Sequence, residues 1–290
     1  MVMGPTHAMS GAAAYLAAAA GAIPLGVAGQ PLPVVAVGAA VCSGAALLPD
    51  LDCPGSLSTK DGSTVVRAFG ILGEVVGHSL EKASLAVYNL TRSKYDKPKN
   101  SGHRTLTHTA VFTVGLGLLT SLGASLPGSF SLFGKDWQTG NAVAILIMWA
   151  CLHLSLFGLF EKWAKKTRKK YGLLAVMGVS AVLTAITASQ LPDGGTNFAW
   201  LGLAVGAGAV IHCLGDAITK AGVPFLWPIP IRGKRWWDIR FPSFMAIRAG
   251  GTFEYAVLLP GLTIFTFLCA AWLIPGTQPA ISWLLEQVGK

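Results

Sequence analysis

The sequence predicts an all-α, polytopic membrane helical bundle of about seven transmembrane helices, and three observations carry that prediction. Apolar stretches of roughly 17 to 21 residues recur along the chain, about the length a helix needs to cross a hydrocarbon core. Of the 290 residues, 52% are hydrophobic and only 12% charged, with a mean hydropathy of +0.56. Such values exclude disorder and argue against a soluble globule. Finally, the basic residues collect in alternate loops, as they do when a chain threads a membrane.

The expected spans are 11–27, 32–48, 106–126, 142–160, 173–191, 198–214 and 255–274. The first two are short and rich in Ala, Gly and Pro, which suits a tight hairpin as well as two full crossings. The opening MVMGPTHAMS lacks the basic leader of a cleaved signal peptide, so the first helix is expected to be mature structure. Residues 1–290 read as a single membrane-embedded domain, with 50–105 as an interfacial insertion within it. In that insertion VVRAFGILGEVVGHSLEKASLAVYNL, from Val65, mixes apolar and charged residues at helical spacing. Helices lying on the membrane interface or over the bundle mouth are expected there. The TRSKYDKPKNSG that follows reads as a basic loop. A second loop, GVPFLWPIPIRGKRWWDIRFP from Gly222, has the Trp, Pro and Arg content of a segment folded at headgroup level. Cys42, Cys151, Cys213 and Cys269 fall inside apolar spans, where they act as small buried hydrophobes, and no disulfide framework is implied.

The net charge of +9 becomes informative once it is divided among the loops. With the N-terminus inside, the segments 1–10, 50–105, 161–172 and 215–254 hold 20 of the 22 Lys and Arg residues, leaving Lys135 and Lys290 outside. The positive-inside rule therefore predicts a cytoplasmic N-terminus and an external C-terminus. This surplus is explained by topology and by contact with anionic membrane lipids, so a nucleic-acid partner is not expected.

Polar residues that are costly in lipid then gather at one depth. His7 lies just before the first helix; Asp50 and Asp52, in LLPDLDCP, sit where the second emerges; His103 and His108, in GHRTLTHT, flank the start of the third. His212 and Asp216, in HCLGD, are four apart and so share one face at the inner end of the sixth, while Glu254 precedes the seventh. Imidazole nitrogens and carboxylate oxygens are the usual ligands of zinc and related divalent ions. Even without Glu254, seven ligands exceed one four-coordinate ion and suit two or three.

Each element also has a plainer reading. His7 fits a surface residue near a terminus; Pro49-Asp50 fits a helix stop; HRTLTH fits a basic interfacial helix start with Thr105 or Thr107 as its cap. HxxxD inside an apolar helix is the strongest element, because intramembrane ionisable residues are functional by default. Glu74 and His78 form another i,i+4 pair, on a segment that reads as a solvated surface. His153 suits a buried helix-to-helix hydrogen bond more than a supporting role at the site.

At these residues the chain resembles the YdjM-type family of bacterial inner-membrane proteins, described as metal-dependent hydrolases. The matching pieces are Thr6-His7, LLPDLD ending at Asp52, GHRTLTHT from Gly102 and HCLGDAITKAGVPFLWP from His212. The family is thought to be distantly similar to the zinc-dependent phospholipase C and single-strand nuclease superfamily, whose sites cleave phosphate esters. The resemblance implies His7, Asp50, Asp52, His103, His108, His212 and Asp216 as metal ligands. Where the family commonly continues PDxD with His-Pro, this chain has Cys53-Pro54, and Cys53 either preserves a ligand as thiolate or occupies a position that never was one. The segment between Asp52 and His103 is also long for the family.

The expectation is a phosphoesterase of the bacterial inner membrane, acting at the cytoplasmic face on a phospholipid or other lipid-linked phosphoester. Asp50 or Asp52 would orient or deprotonate water, and Arg104 would offset phosphate charge. The rival expectation is a non-enzymatic scaffold with a structural metal cluster and a regulatory protein partner. A transporter fits less well, since no matching polar set lies at the midplane or outside.

Overall fold

The computed structural model describes residues 3–23, 25–55, 62–132, 134–160, 172–190 and 198–288. Its elements are α1 (Gly4–Ala19), α2 (Leu32–Ala45), a 3-10 turn (Leu48–Asp52), α3 (Thr64–Phe69), α4 (Ile71–Thr91) and a second 3-10 turn (Leu106–His108). There follow α5 (Ala110–Ala124), β1 (Ser129–Leu132), β2 (Lys135–Gln138), α6 (Thr139–Leu159), α7 (Gly172–Gln190) and α8 (Trp200–Ala217). A π-turn (Glu254–Leu258) leads into α9 (Leu259–Leu273), and α10 covers Gln278–Val288.

Among the described residues five helices are long and apolar enough to cross a membrane: Leu32–Asp52, Thr139–Leu159, Gly172–Ser189, Trp200–Ala217 and Glu254–Leu273. The other two members of the bundle are shorter, α1 with 16 residues and α5 with 15. At 1.5 Å per residue each rises only about 23 Å, less than a hydrocarbon core of about 30 Å. The all-α membrane bundle expected from the sequence is therefore present.

Element boundaries differ from the sequence reading, the first span most of all, since α1 ends at Ala19 where the expected span runs to residue 27. α1 begins at Gly4, with Pro5 in its first turn, so His7 lies within the helix rather than ahead of it. α5 begins at Ala110 rather than residue 106, because Thr109 is the cap: its hydroxyl accepts from the Phe112 N–H at 3.2 Å, a role expected of Thr105 or Thr107. The loop before α6 pairs into a β1–β2 hairpin around Gly134, whose φ of 73° suits a tight turn. Lys60, the basic stretch 161–170 and Lys290, on which the charge count partly rests, lie outside the described residues.

α2 is the centre of the bundle, packed by α1, α6 and α8, with α5 on α8, α9 on α1 and α7 on α6. Small residues permit this closeness, as membrane helix packing requires. A Cβ on Gly44 of α2 would fall on the Cys151 carbonyl oxygen of α6, and Gly117 of α5 and Gly202 of α8 face each other's backbones. Gly11 against Cys42 and Gly38 against Tyr15 set α1 and α2 as an antiparallel hairpin. Large apolar side chains point away from the packed faces, among them Val114, Leu118 and Leu122 on α5 and Ile264 and Phe267 on α9.

α3 and α4 lie over the end of the bundle that carries both 3-10 turns. His153 of α6 donates from Nε2 to the Ala68 carbonyl of α3 at 2.9 Å, the helix-to-helix bond its burial called for. α4 leaves Ile71, Leu72, Val75 and Val76 exposed along one side, as an interfacial helix does. Its Gly73 and Gly77 sit against Val66 and Leu51, so the opposite side is the packed one.

Candidate metal centre

The two 3-10 turns exist because the chain leaves its helices there with polar residues to bury. Pro49 ends the apolar run of α2, and the tightened turn turns Asp50 and Asp52 inward, where they are 4% and 0% exposed. In the GHRTLTHT stretch Gly102 lies against α4 so closely that a Cβ would meet the Glu81 carbonyl. Arg104 then takes φ of 54°, a left-handed conformation that costs a non-glycine residue energy and reverses the chain into the Leu106–His108 turn. His108 is thereby pointed across the bundle end at His212 and Asp216, which leave one face of α8 four residues apart.

Asp50, His108, His212 and Asp216 each offer one ligand atom, and these four atoms lie within 4.8 Å of one another. Nε2 of His108 and Nε2 of His212 are 3.3 Å apart. Asp50 Oδ1 is 3.5 Å from His212 Nε2 and 3.9 Å from His108 Nε2. Asp216 Oδ2 is 3.6 Å from His108 Nε2 and 3.9 Å from His212 Nε2. Around an ion with bonds of 2.0–2.1 Å, the edge of a ligand tetrahedron is about 3.3–3.4 Å; the five separations of 3.3–3.9 Å stand at or a little above that edge, while the two carboxylates, within 4.8 Å of each other, would draw closer on binding. Asp50 Oδ1 is also buried without a hydrogen-bond partner in the protein, a costly condition that a cation relieves. This buried group can hold a metal ion.

The imidazoles are oriented from behind, as metal-ligating histidines are. His212 donates from Nδ1 to the Ala46 carbonyl at 2.8 Å, which frees Nε2 to face the other donors. Nδ1 of His108 is 2.9 Å from Thr107 Oγ1, and the Thr107 hydroxyl in turn donates to Asp52 Oδ2. Asp52 Oδ2 itself is 3.6 Å from His108 Nδ1. Burial pulls the His108 imidazole down, but the Asp52 carboxylate and its bonds to Asp216 and Asp52 outweigh that and push it up to about 9. Without metal, His108 is therefore a cation at neutral pH.

The remaining expected ligands flank this group. His7 is buried, stacks on the His212 ring at 3.8 Å, and places Nε2 3.5 Å from Asp216 Oδ1; neither of its nitrogens has a hydrogen-bond partner. His103, partly exposed, donates from Nδ1 to Asp52 Oδ1 at 2.8 Å, so Asp52 and His103 form a pair behind His108. His103 and His108, expected to flank the start of the third helix, both precede α5, His103 ahead of the Leu106–His108 turn and His108 within it. Arg104 puts Nη2 2.6 Å from Asp216 Oδ2 and donates from Nη1 to the Gly222 carbonyl at 3.3 Å. Its guanidinium ties Asp216 to the loop after α8.

Other polar residues lie elsewhere. Cys53 is outside the four-donor group, and burial followed by the Asp50 and Asp52 carboxylates pushes its thiol up to about 11. Glu254 is fully buried, but Oε1 accepts from the Met3 N–H and Oε2 from the Gly250 N–H, each at 2.7 Å. It secures the start of α1, and hence His7, instead of joining the four donors. His78 is exposed and bonded to the Glu74 carbonyl, the surface role expected of that pair. Sequence reasoning missed Thr107 and the Ala46 carbonyl. Thr107 sits inside a quoted motif, but nothing in its spacing distinguishes a hydroxyl that links a ligand to a carboxylate from a helix cap.

The sequence pattern of the YdjM inner membrane protein family matches residues 1–160 and 172–282. The chain belongs to the YdjM family. No curated protein and no solved structure gave a significant match. Membership in YdjM agrees with the multi-pass architecture and with an inner-membrane location. All four donors of the buried group fall within the YdjM match.

Proposed function

We propose that this YdjM protein is a membrane-embedded metal-dependent hydrolase of phosphoesters, its substrate a phospholipid or other lipid-linked phosphoester. The observation that carries the reading is the convergence of four buried donor atoms, from Asp50, His108, His212 and Asp216, within 4.8 Å of one another at one end of a membrane bundle. Zinc is the expected ion, with His7, Asp52 and His103 as the donors that would extend the centre to two or three ions. When bound, such ions polarise phosphoryl oxygens and lower the pKa of water.

The chain's own residues supply the rest. Asp50 or Asp52 would orient or deprotonate the attacking water through a carboxylate oxygen that does not bind the ion. Asp52 acts through Thr107 and His103, fixing both rings and holding the positive charge that His108 carries before metal uptake. Arg104 keeps Asp216 in place, and its guanidinium would offset negative charge on a bound phosphate. The buried surroundings strengthen each of these electrostatic interactions.

The charge distribution further supports a cytoplasmic N-terminus, an external C-terminus and a site at the cytoplasmic face. In right-side-out cells, Ser131→Cys should react with a membrane-impermeant thiol reagent, whereas Ser101→Cys should react only after permeabilisation. The opposite pattern would reverse the orientation.

Purified protein should release phosphate or headgroup from mixed phospholipids, or cleave a generic phosphodiester, and lose that activity with chelator. Turnover indifferent to chelator, or none on any of these substrates, counts against the hydrolase reading. One observation favours a second reading: four protein donors, all nearly inaccessible to solvent, are what a closed structural site presents. A metal-stapled scaffold binding a regulatory protein would hold zinc, show no turnover, and lose its fold on chelation.

A further inference from the structure

A second polar cavity, of about 410 Å³, lies between the loop that follows α4 and the loop that follows α8. Lys97, Lys99, Lys234 and Arg240 line it, against the carboxylates of Asp96 and Asp238. Asp96 is committed to holding the two loops together. It accepts from the N–H groups of Ser93 at 2.7 Å and of Arg235 and Trp236 at 3.2 Å each. The balance facing the cavity is therefore cationic, and its frame is fixed by backbone bonds.

The cations are also arranged rather than scattered. The rings of Tyr88 and Trp236 pack 4.9 Å apart as one wall, and Lys99 Nζ sits 5.2 Å from the centre of the Tyr88 ring. Lys234 Nζ lies 5.7 Å from the centre of the Trp237 ring, so aromatic faces hold two ammonium groups in position. Lys99 donates to the Arg104 carbonyl at 3.1 Å, and the Arg104 guanidinium is the group that touches Asp216. One residue thus separates this cavity from the metal centre.

We propose that this cavity binds a phosphate-class anion, the charged group of the substrate that lies beyond the scissile ester. Paired ammonium and guanidinium donors suit several phosphate oxygens at once, and an aromatic wall excludes water from one side. Only the statement that this anion is part of the substrate rests on the hydrolase reading; binding of the anion does not. A phospholipid headgroup and a soluble phosphate compound share this chemistry.

The test uses full-length, zinc-loaded protein in phosphatidylcholine nanodiscs, titrated calorimetrically with inorganic phosphate in one arm and dihexanoyl phosphatidic acid in the other. Saturable binding of the first alone assigns a soluble source, and stronger binding of the second assigns a lipid headgroup. In either case Lys234→Ala/Arg240→Ala should weaken binding at least tenfold, about 1.4 kcal/mol, with zinc content unchanged. Asp238→Asn, which removes negative charge from the cavity wall, should tighten binding about threefold, a gain that a folding defect does not imitate. Binding in neither arm overturns the proposal, as does wild-type affinity in both variants. Absence of turnover together with cavity-dependent binding would instead strike at the hydrolase reading and leave this site standing.

Discussion

Thr107→Val probes the metal centre without touching a donor atom. The two side chains have nearly the same shape, and Thr107 is fully buried, so the change removes one hydroxyl and little packing. That hydroxyl links His108 Nδ1, 2.9 Å away, to Asp52 Oδ2. Without it the two groups face each other at 3.6 Å, too far for a good hydrogen bond, and His108 loses its orienting partner. Loss of such an outer partner lowers metal affinity about 10- to 100-fold, or about 1.4–2.8 kcal/mol. Competition between the purified protein and a calibrated zinc chelator reads this directly. The Asp52→Asn variant should weaken zinc by a similar factor, and the double variant by much less than the product, since both changes break one chain. Wild-type zinc affinity in Thr107→Val, within threefold, would refute the assignment of His108 as an oriented ligand.

Other predictions concern the same frame. Gly44→Ala places a Cβ on the Cys151 carbonyl and should destabilise the bundle by about 1–3 kcal/mol, seen as unfolding at lower detergent denaturant. Glu254→Gln keeps one acceptor oxygen where two backbone N–H groups need one each, so it should cost about 1–3 kcal/mol and lower the thermal midpoint. Zinc stoichiometry should stay unchanged in that variant, and its loss would make Glu254 a ligand. Because His108 is held protonated up to about 9, zinc uptake must displace that proton. Uptake should therefore strengthen as pH rises from 6.5 toward 9 and release protons into weakly buffered solution; pH-independent affinity would contradict this.

GHRTLTHT shows how much the sequence carried and where it stopped. Composition, apolar run lengths and the placement of Lys and Arg were enough for a membrane bundle, because burial in lipid is a property of whole segments and survives without coordinates. Ionisable residues near the ends of those segments marked the site for the same reason: they are too costly in lipid to be incidental. His212 and Asp216 shared a face as their spacing required, since α8 is regular. His108 did not enter α5, because Thr109 took the cap and a 3-10 turn formed ahead of it.

What the sequence determined by itself was the set of segments and the depth at which polar residues collect, since both follow from local chemistry and transfer energy. Tertiary structure alone decided the partition of that set. Asp50, His108, His212 and Asp216 form the four-donor group, Asp52 and His103 stand behind it, and Glu254 secures the start of α1. The physical reason is that ligation needs agreement to a few tenths of an ångström between residues as many as 166 positions apart, and only the packing of α2, α5 and α8 supplies it.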